Sequence, residues 1–146
     1  MKFHHRFRVN APLEEVISFH RLASSMGAIT PPPIRVEVHQ APSELSSGDE
    51  MDFSLHLGPF QIRWLALIEN MTEAGFTDRQ LHGPFLAWNH RHSFNSIEAS
   101  VTEVDDLVTA EVKRSLGERL LGWVMWLGMP ILFAYRGWKT RSLLER

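Results

Sequence analysis

The sequence predicts an α+β fold in which a curved antiparallel sheet of about seven strands wraps around a long C-terminal helix, with two short helices after the first strand. Three observations carry this. Apolar residues alternate with polar ones over most of residues 34–112, the connections between these runs are short, and the last thirty residues switch to helical periodicity. At 146 residues the chain is the length of one domain. It shows no internal repeat, low-complexity stretch or linker, so residues 1–146 are read as a single domain.

The first element is a strand, with Phe3, His5, Phe7 and Val9 on one face and His4, Arg6 and Arg8 on the other. Asn10-Ala11-Pro12 ends it. Proline suits the first turn of a helix, and Glu14 and Glu15 follow where the helix dipole favours acids. A second short helix is predicted over residues 22–29, and Thr30-Pro31-Pro32-Pro33 must stop it. Then come the strands. Ile34, Val36 and Val38 alternate; Met51, Phe53, Leu55 and Leu57 share a face; Gly58-Pro59 turns into Phe60, Ile62, Trp64, Ala66 and Ile68. Further strands are predicted over 76–81, 85–97 and 99–112, the last with Val104, Val108, Ala110 and Val112 on one side.

From about Ser115 to Leu144 one helix is predicted, with Leu116, Leu120, Trp123, Leu127, Ile131, Ala134 and Trp138 along one face. Between Arg119 and Arg136 lie sixteen uncharged residues, short of the roughly 20 needed to span a bilayer and interrupted by two glycines and Pro130. Pro130 should bend the helix. A helix apolar on all sides must be covered on all sides, so its second face predicts contact with the short helices, a second copy of the chain (a homodimer), or a membrane surface.

Composition excludes several functions. A formal net charge of −2 argues against nucleic acid as a partner. The cations cluster late: Lys113, Arg114, Arg119, Arg136, Lys139, Arg141 and Arg146 against Glu118 and Glu145, which suits a helix C-terminus or an anionic surface. The absence of cysteine removes disulfides, thiolate ligands and thiol nucleophiles, and fits a cytoplasmic location. The N-terminal MKFHHRFRV lacks the apolar core of a signal peptide, so the sequon Asn70-Met71-Thr72 is read as chance. There is no phosphate-binding glycine loop or nucleophile elbow.

Several short motifs then stand together: Phe7–Val9 with Ala11-Pro12, Phe19-His20, Thr30-Pro31-Pro32, Gly58-Pro59 with Trp64, Phe76-Thr77-Asp78, Gly83-Pro84-Phe85 with Trp88, His90, His92 and Phe94, and Phe133 with Tyr135-Arg136. With the order of elements, they make the chain resemble the START-like (SRPBCC) superfamily, within a bacterial branch of cyclase/dehydrase-like ligand-binding proteins. The superfamily includes polyketide cyclases and dehydrases, lipid-transfer domains and pollen-allergen-like carriers. The resemblance implies a helix-grip fold with an internal pocket between sheet and last helix, and it transfers no catalytic residue.

The densest chemistry is Trp88-Asn89-His90-Arg91-His92-Ser93-Phe94. In a strand Trp88, His90, His92 and Phe94 share one face, with the histidines about 7 Å apart at their bases. Two imidazoles suit a divalent metal, but a site needs further ligands, for which His56, Asp78 and His82 are the candidates; the expectation is no metal and no cofactor. The same pair could serve as catalytic acid and base in a cyclase or dehydrase. Asp78 alternates with Phe76 and Gln80 and is expected to pair with Arg63 or Arg91, while His20 caps or packs. The predicted ligand-binding set is Trp64, Phe76, Asp78, Trp88, His90, His92, Phe94, Trp123 and Leu127, enclosing a small apolar or lipid-like molecule.

Overall fold

A computed structural model describes residues 1–145. Seven strands, β1 (Lys2–Val9), β2 (Arg35–Gln40), β3 (Glu50–Leu57), β4 (Phe60–Thr72), β5 (Gly75–His82), β6 (Phe85–Glu98) and β7 (Val101–Val112), form one antiparallel sheet in the order β1-β7-β6-β5-β4-β3-β2. Strands β2 to β7 are a meander, each pairing with the next, and β1 closes the far edge on β7. The α+β architecture with a seven-stranded sheet is therefore the one the sequence predicts.

Helix α1 (Leu13–Arg21) starts after Pro12 with Glu14 and Glu15 in its first turn, and it packs on β6 and β7. The second helix is shorter than predicted. Only Ser25–Ala28 forms α2, because Leu22 turns back onto Phe19 and pairs as an isolated bridge with Glu44. The peptide between Pro32 and Pro33 is cis, and β2 follows.

The long C-terminal helix is two helices, α3 (Leu116–Leu127) and α4 (Met129–Leu144), meeting at 44°. Pro130 has no N–H to give to Trp126, so the hydrogen-bond ladder breaks there and restarts with Pro130 in the first turn of α4. Neither helix alone is long and apolar enough to cross a membrane.

The orientation of this helix pair departs from expectation. The face carrying Leu116, Leu120, Trp123, Leu127, Ile131, Ala134 and Trp138 points outward, with Leu127 and Ile131 73% and 75% exposed. The face with small residues turns to the sheet instead. A Cβ on Gly122 would lie 2.9 Å from Val112, and one on Gly137 would lie 3.3 Å from His5 and 3.4 Å from Phe7. Close packing of backbone on sheet therefore selects the inward face. From it Met129 and Phe133 enter the core among Phe7, Val104 and Val108. Phe133 is 1% exposed, with its ring 5.2 Å from Phe3 and 5.4 Å from His90.

Gly75 serves a second close approach. It has φ +149°, and a Cβ there would lie 1.9 Å from the carbonyl oxygen of His92, so β5 and β6 can meet at this point only through glycine.

Two outcomes follow for chemical denaturation. Phe133→Ala removes a ring from the packed core and is expected to cost about 3–5 kcal/mol. Ile131→Ala, two residues away on the outward face, is expected to stay within about 0.5 kcal/mol of wild type. Equal losses in the two variants would contradict the assigned helix orientation.

Candidate functional site

The concave sheet face carries a buried polar cluster where apolar residues would be the default. It is written in the register of three neighbouring strands. Asp78 on β5 lies opposite His90 on β6, and His92 lies opposite Asp106 on β7. The shortest contacts run on the diagonals, which lie within reach of long side chains. His92 Nε2 is 2.6 Å from Asp78 Oδ2, and His90 Nε2 is 2.8 Å from Asp106 Oδ1. The remaining ring nitrogens face the other acid: His90 Nδ1 is 3.5 Å from Asp78, and His92 Nδ1 is 3.4 Å from Asp106, ion-pair rather than hydrogen-bond distances. The imidazoles stack, centroids 3.7 Å apart. Two stacked rings, their planes 28° apart, thus stand between two carboxylates.

This arrangement decides where the protons lie. Burial alone would lower the His92 pKa, but the Asp106 and Asp78 carboxylates outweigh it and raise it to about 9. For His90, burial and the neighbouring His92 charge prevail over the same acids, and its pKa falls below the ordinary value. Two stacked cations would repel, so near neutral pH the pair holds one positive charge. Burial works against ionisation of Asp78 and Asp106, yet the imidazoles hold both below the usual carboxylate range.

Two further groups complete the cluster. His20, at the end of α1, donates from Nδ1 to the Val16 carbonyl at 2.8 Å and packs 4.7 Å from the Phe94 ring. Burial lowers its pKa to about 4, so it is neutral. Arg136 comes down from α4 with its guanidinium carbon 5.2 Å from the Phe133 ring centre. Its Nε is buried without a partner, and burial lowers its pKa against the pull of Asp106 and Asp78.

Above the cluster, between the concave face, α1–α2 and the α3–α4 pair, is a cavity of about 170 Å³. Its apolar walls include Met51, Phe53, Trp64, Ala66, Phe85 and Trp88 from the sheet, Met26 and Ile29 beside α2, and Met125, Met129 and Leu132 from α3 and α4. Asp78, His20, His90, His92 and Arg136 supply its polar end. A second space of about 20 Å³ lies against His92, Asp106, Arg136 and Thr140, room for a single water.

Of the nine residues predicted to bind ligand, Trp64, Phe76, Asp78, Trp88, His90 and His92 line the cavity. Phe94 does not; it is buried behind Phe76 and His20. Trp123 and Leu127 are corrected outright, since both lie on the outward face of α3 and are 43% and 73% exposed. Asp78 pairs with the histidines and not with Arg63, which is bound to Asp52, or Arg91, which reaches Asn70 and Thr77. Of the possible metal ligands, His56 pairs with Glu37 and His82 is exposed, leaving only Asp78 to join the histidines. Donor atoms of Asp78, His90 and His92 lie within 4.8 Å of one another, a set that suits a divalent ion by type. Each is already matched to an opposite partner, and His92 would have to give up its proton first.

Sequence reading missed Asp106 and Arg136 and undervalued His20. Asp106 had a signal: it occupies the inward parity of β7, between Val104 and Val108, where an acid needs a buried partner. Arg136 stood in the sequence only as part of the Tyr135-Arg136 motif and the late cations, since a helix apolar on both faces does not show which residues turn inward.

A curved antiparallel sheet gripping its C-terminal helices, with a cavity between them, is the helix-grip fold that the resemblance implied. Solved structures superpose along nearly the whole chain. They include a START superfamily protein of Mycobacterium smegmatis (13% identity, TM-score 0.67, covering 99% of this chain and 97% of that one). The Zhui aromatase/cyclase of Streptomyces sp. R1128 matches at 16% identity and TM-score 0.69, covering 98% and 95%. A Thermus thermophilus protein matches at 19% identity and TM-score 0.69, covering 98% and 97%. No family model and no curated protein matches the sequence. At these identities the likeness shows the fold alone.

The proton positions predict a stability profile with two limbs. The His92 pKa is raised on folding, so its contribution is complete below about pH 6.5 and is lost as pH climbs through about 9. The His20 pKa is lowered, so stability drops as pH falls from about 6.5 towards 4, where only the unfolded chain takes up the proton. Urea melts from pH 4 to 10 should peak near pH 6.5. His20→Gln should make the acid limb shallower above pH 4, the rest coming from His90 and His5, whose pKa values burial also lowers, and the double variant His90→Gln/His92→Gln should remove the alkaline one. An unchanged alkaline limb in the double variant would refute the shared-proton assignment.

Proposed function

We propose that the chain binds a small apolar molecule in the cavity between the sheet and the α3–α4 pair. The observation that carries this is the cavity itself: about 170 Å³ lined mainly by apolar side chains, five aromatic residues and four methionines among them, with titratable groups at one end. Apolar cavities of roughly 150 Å³ are large enough to take up benzene. A ligand burying about 300 Å² of apolar surface would gain about 7 kcal/mol before the cost of association. Binding needs no covalent chemistry.

Native mass spectrometry of gently purified protein should retain a small co-purified molecule. Naphthalene, followed by NMR shift changes, should saturate and should perturb the Trp64 and Trp88 indole signals. Ala66→Phe, which fills the cavity from β4, should weaken naphthalene binding more than tenfold while the fold persists. Binding unaffected by Ala66→Phe, or no binding at all, would end this reading.

A catalytic form of the same reading, a cyclase or dehydrase, is favoured by the two carboxylate–histidine pairs at the cavity's end. His92, protonated, would serve as acid, and His90, neutral, as base. It requires that His90→Gln or His92→Gln abolish turnover of an identified substrate while leaving its binding intact; full turnover in both would exclude it.

The outward apolar face of α3–α4 favours a further reading, attachment to an anionic lipid surface. Leu116, Leu120, Trp123, Val124, Leu127, Ile131 and Trp138 are exposed together, with Arg114 and Arg119 at one end and Lys139 and Arg141 at the other. Cosedimentation with phosphatidylglycerol vesicles should capture the wild type, and Leu127→Glu/Ile131→Glu should release it. A monomer that stays in the supernatant would refute the attachment. A salt-insensitive dimer abolished by the same substitutions would assign the face to a second copy instead.

A further inference from the structure

We infer that the ligand is amphipathic and anionic: a medium-length monocarboxylate whose acid group is held by Arg136 and whose chain lies between the aromatic walls. This rests on the ligand-binding reading above and adds the chemical class. Arg136 forms no hydrogen bond and no ion pair with any described residue. Other arginines with an acid within reach on a neighbouring strand take it: Arg63 holds Asp52 through two hydrogen bonds, and Arg79 holds Glu69 in the same way. Among the described residues Arg136 alone brings a guanidinium from the helix into the cavity, and that group is a fork of donors with no acceptor of its own.

Nor do the nearby acids take that role. Asp78 and Asp106 act on Arg136 through space, but both are committed to His90 and His92 at the short distances above. A carboxylate is planar and accepts two parallel hydrogen bonds, which matches the guanidinium fork better than a hydroxyl or ketone does. Arg136 Nε is buried without a partner, so a ligand carboxylate that meets the guanidinium gains more than its apolar area provides. About 170 Å³ holds a chain of roughly eight carbons or a single ring. The facing groups tolerate the added charge. The stacked imidazoles hold one positive charge at neutral pH and have a second ring to accept a further proton as the anion arrives.

Calorimetry with octanoate and with octanamide, its neutral isostere, tests this on the unaltered protein. Octanoate should bind at least tenfold more tightly. Arg136→Met should bring octanoate down to the octanamide affinity, and Arg136→Lys should restore part of the difference. Octanamide binding as tightly as octanoate to the wild type would overturn the inference, and that comparison needs no variant to fold. Failure of octanoate alone, with naphthalene still bound, would remove the carboxylate while leaving the apolar site. If neither binds, both readings fall together.

Discussion

The pair of stacked imidazoles held between Asp78 and Asp106 constrains everything around it. Two acids cannot remain ionised at the base of an apolar cavity without cations beside them. The cation must come from a neighbouring strand in fixed register, because a one-residue slip would carry each side chain to the opposite face. The quartet therefore fastens β5, β6 and β7 to one another more specifically than their apolar residues can. Valine opposite valine tolerates several offsets; aspartate opposite histidine tolerates one. Gly75, where β5 presses on the His92 carbonyl, lies beside this same point.

Placed there, the cluster also divides the interior. On one side Phe133 and the core valines pack closely, leaving only the small second space; on the other, the aromatic walls stand back from α3 and α4 and leave room. The bend at Gly128–Pro130 contributes to this. It lets α4 lie along β1 through Gly137 while α3 leans over Val112 through Gly122, so the helix pair spans the concavity instead of filling it. Methionines at 125 and 129 line the span, and their flexible thioethers leave this wall able to repack. The two faces of this pair then have separate tasks. One closes a cavity and the other, unpaired in the chain, meets the outside.

The chain's own residues determined the element order, since period-2 alternation, Gly-Pro turns and the Ala-Pro helix start are local consequences of backbone geometry. They also determined that Trp88, His90 and His92 share an inward face, because parity along a strand is all that requires. Asp106 was legible by the same parity and was passed over, an acid among inward valines. What sequence could not decide was which face of an all-apolar helix turns inward. Both faces of residues 116–138 satisfy the same periodicity, and the choice rests on how closely Gly122 and Gly137 allow backbone to approach a sheet formed by residues distant along the chain. That single choice expelled Trp123 and Leu127 from the cavity and brought Arg136 into it. Partner choice among charged groups was likewise tertiary: Asp78 was open to pairing with Arg63, Arg91 or the histidines, and only the register of three strands placed the imidazoles nearest.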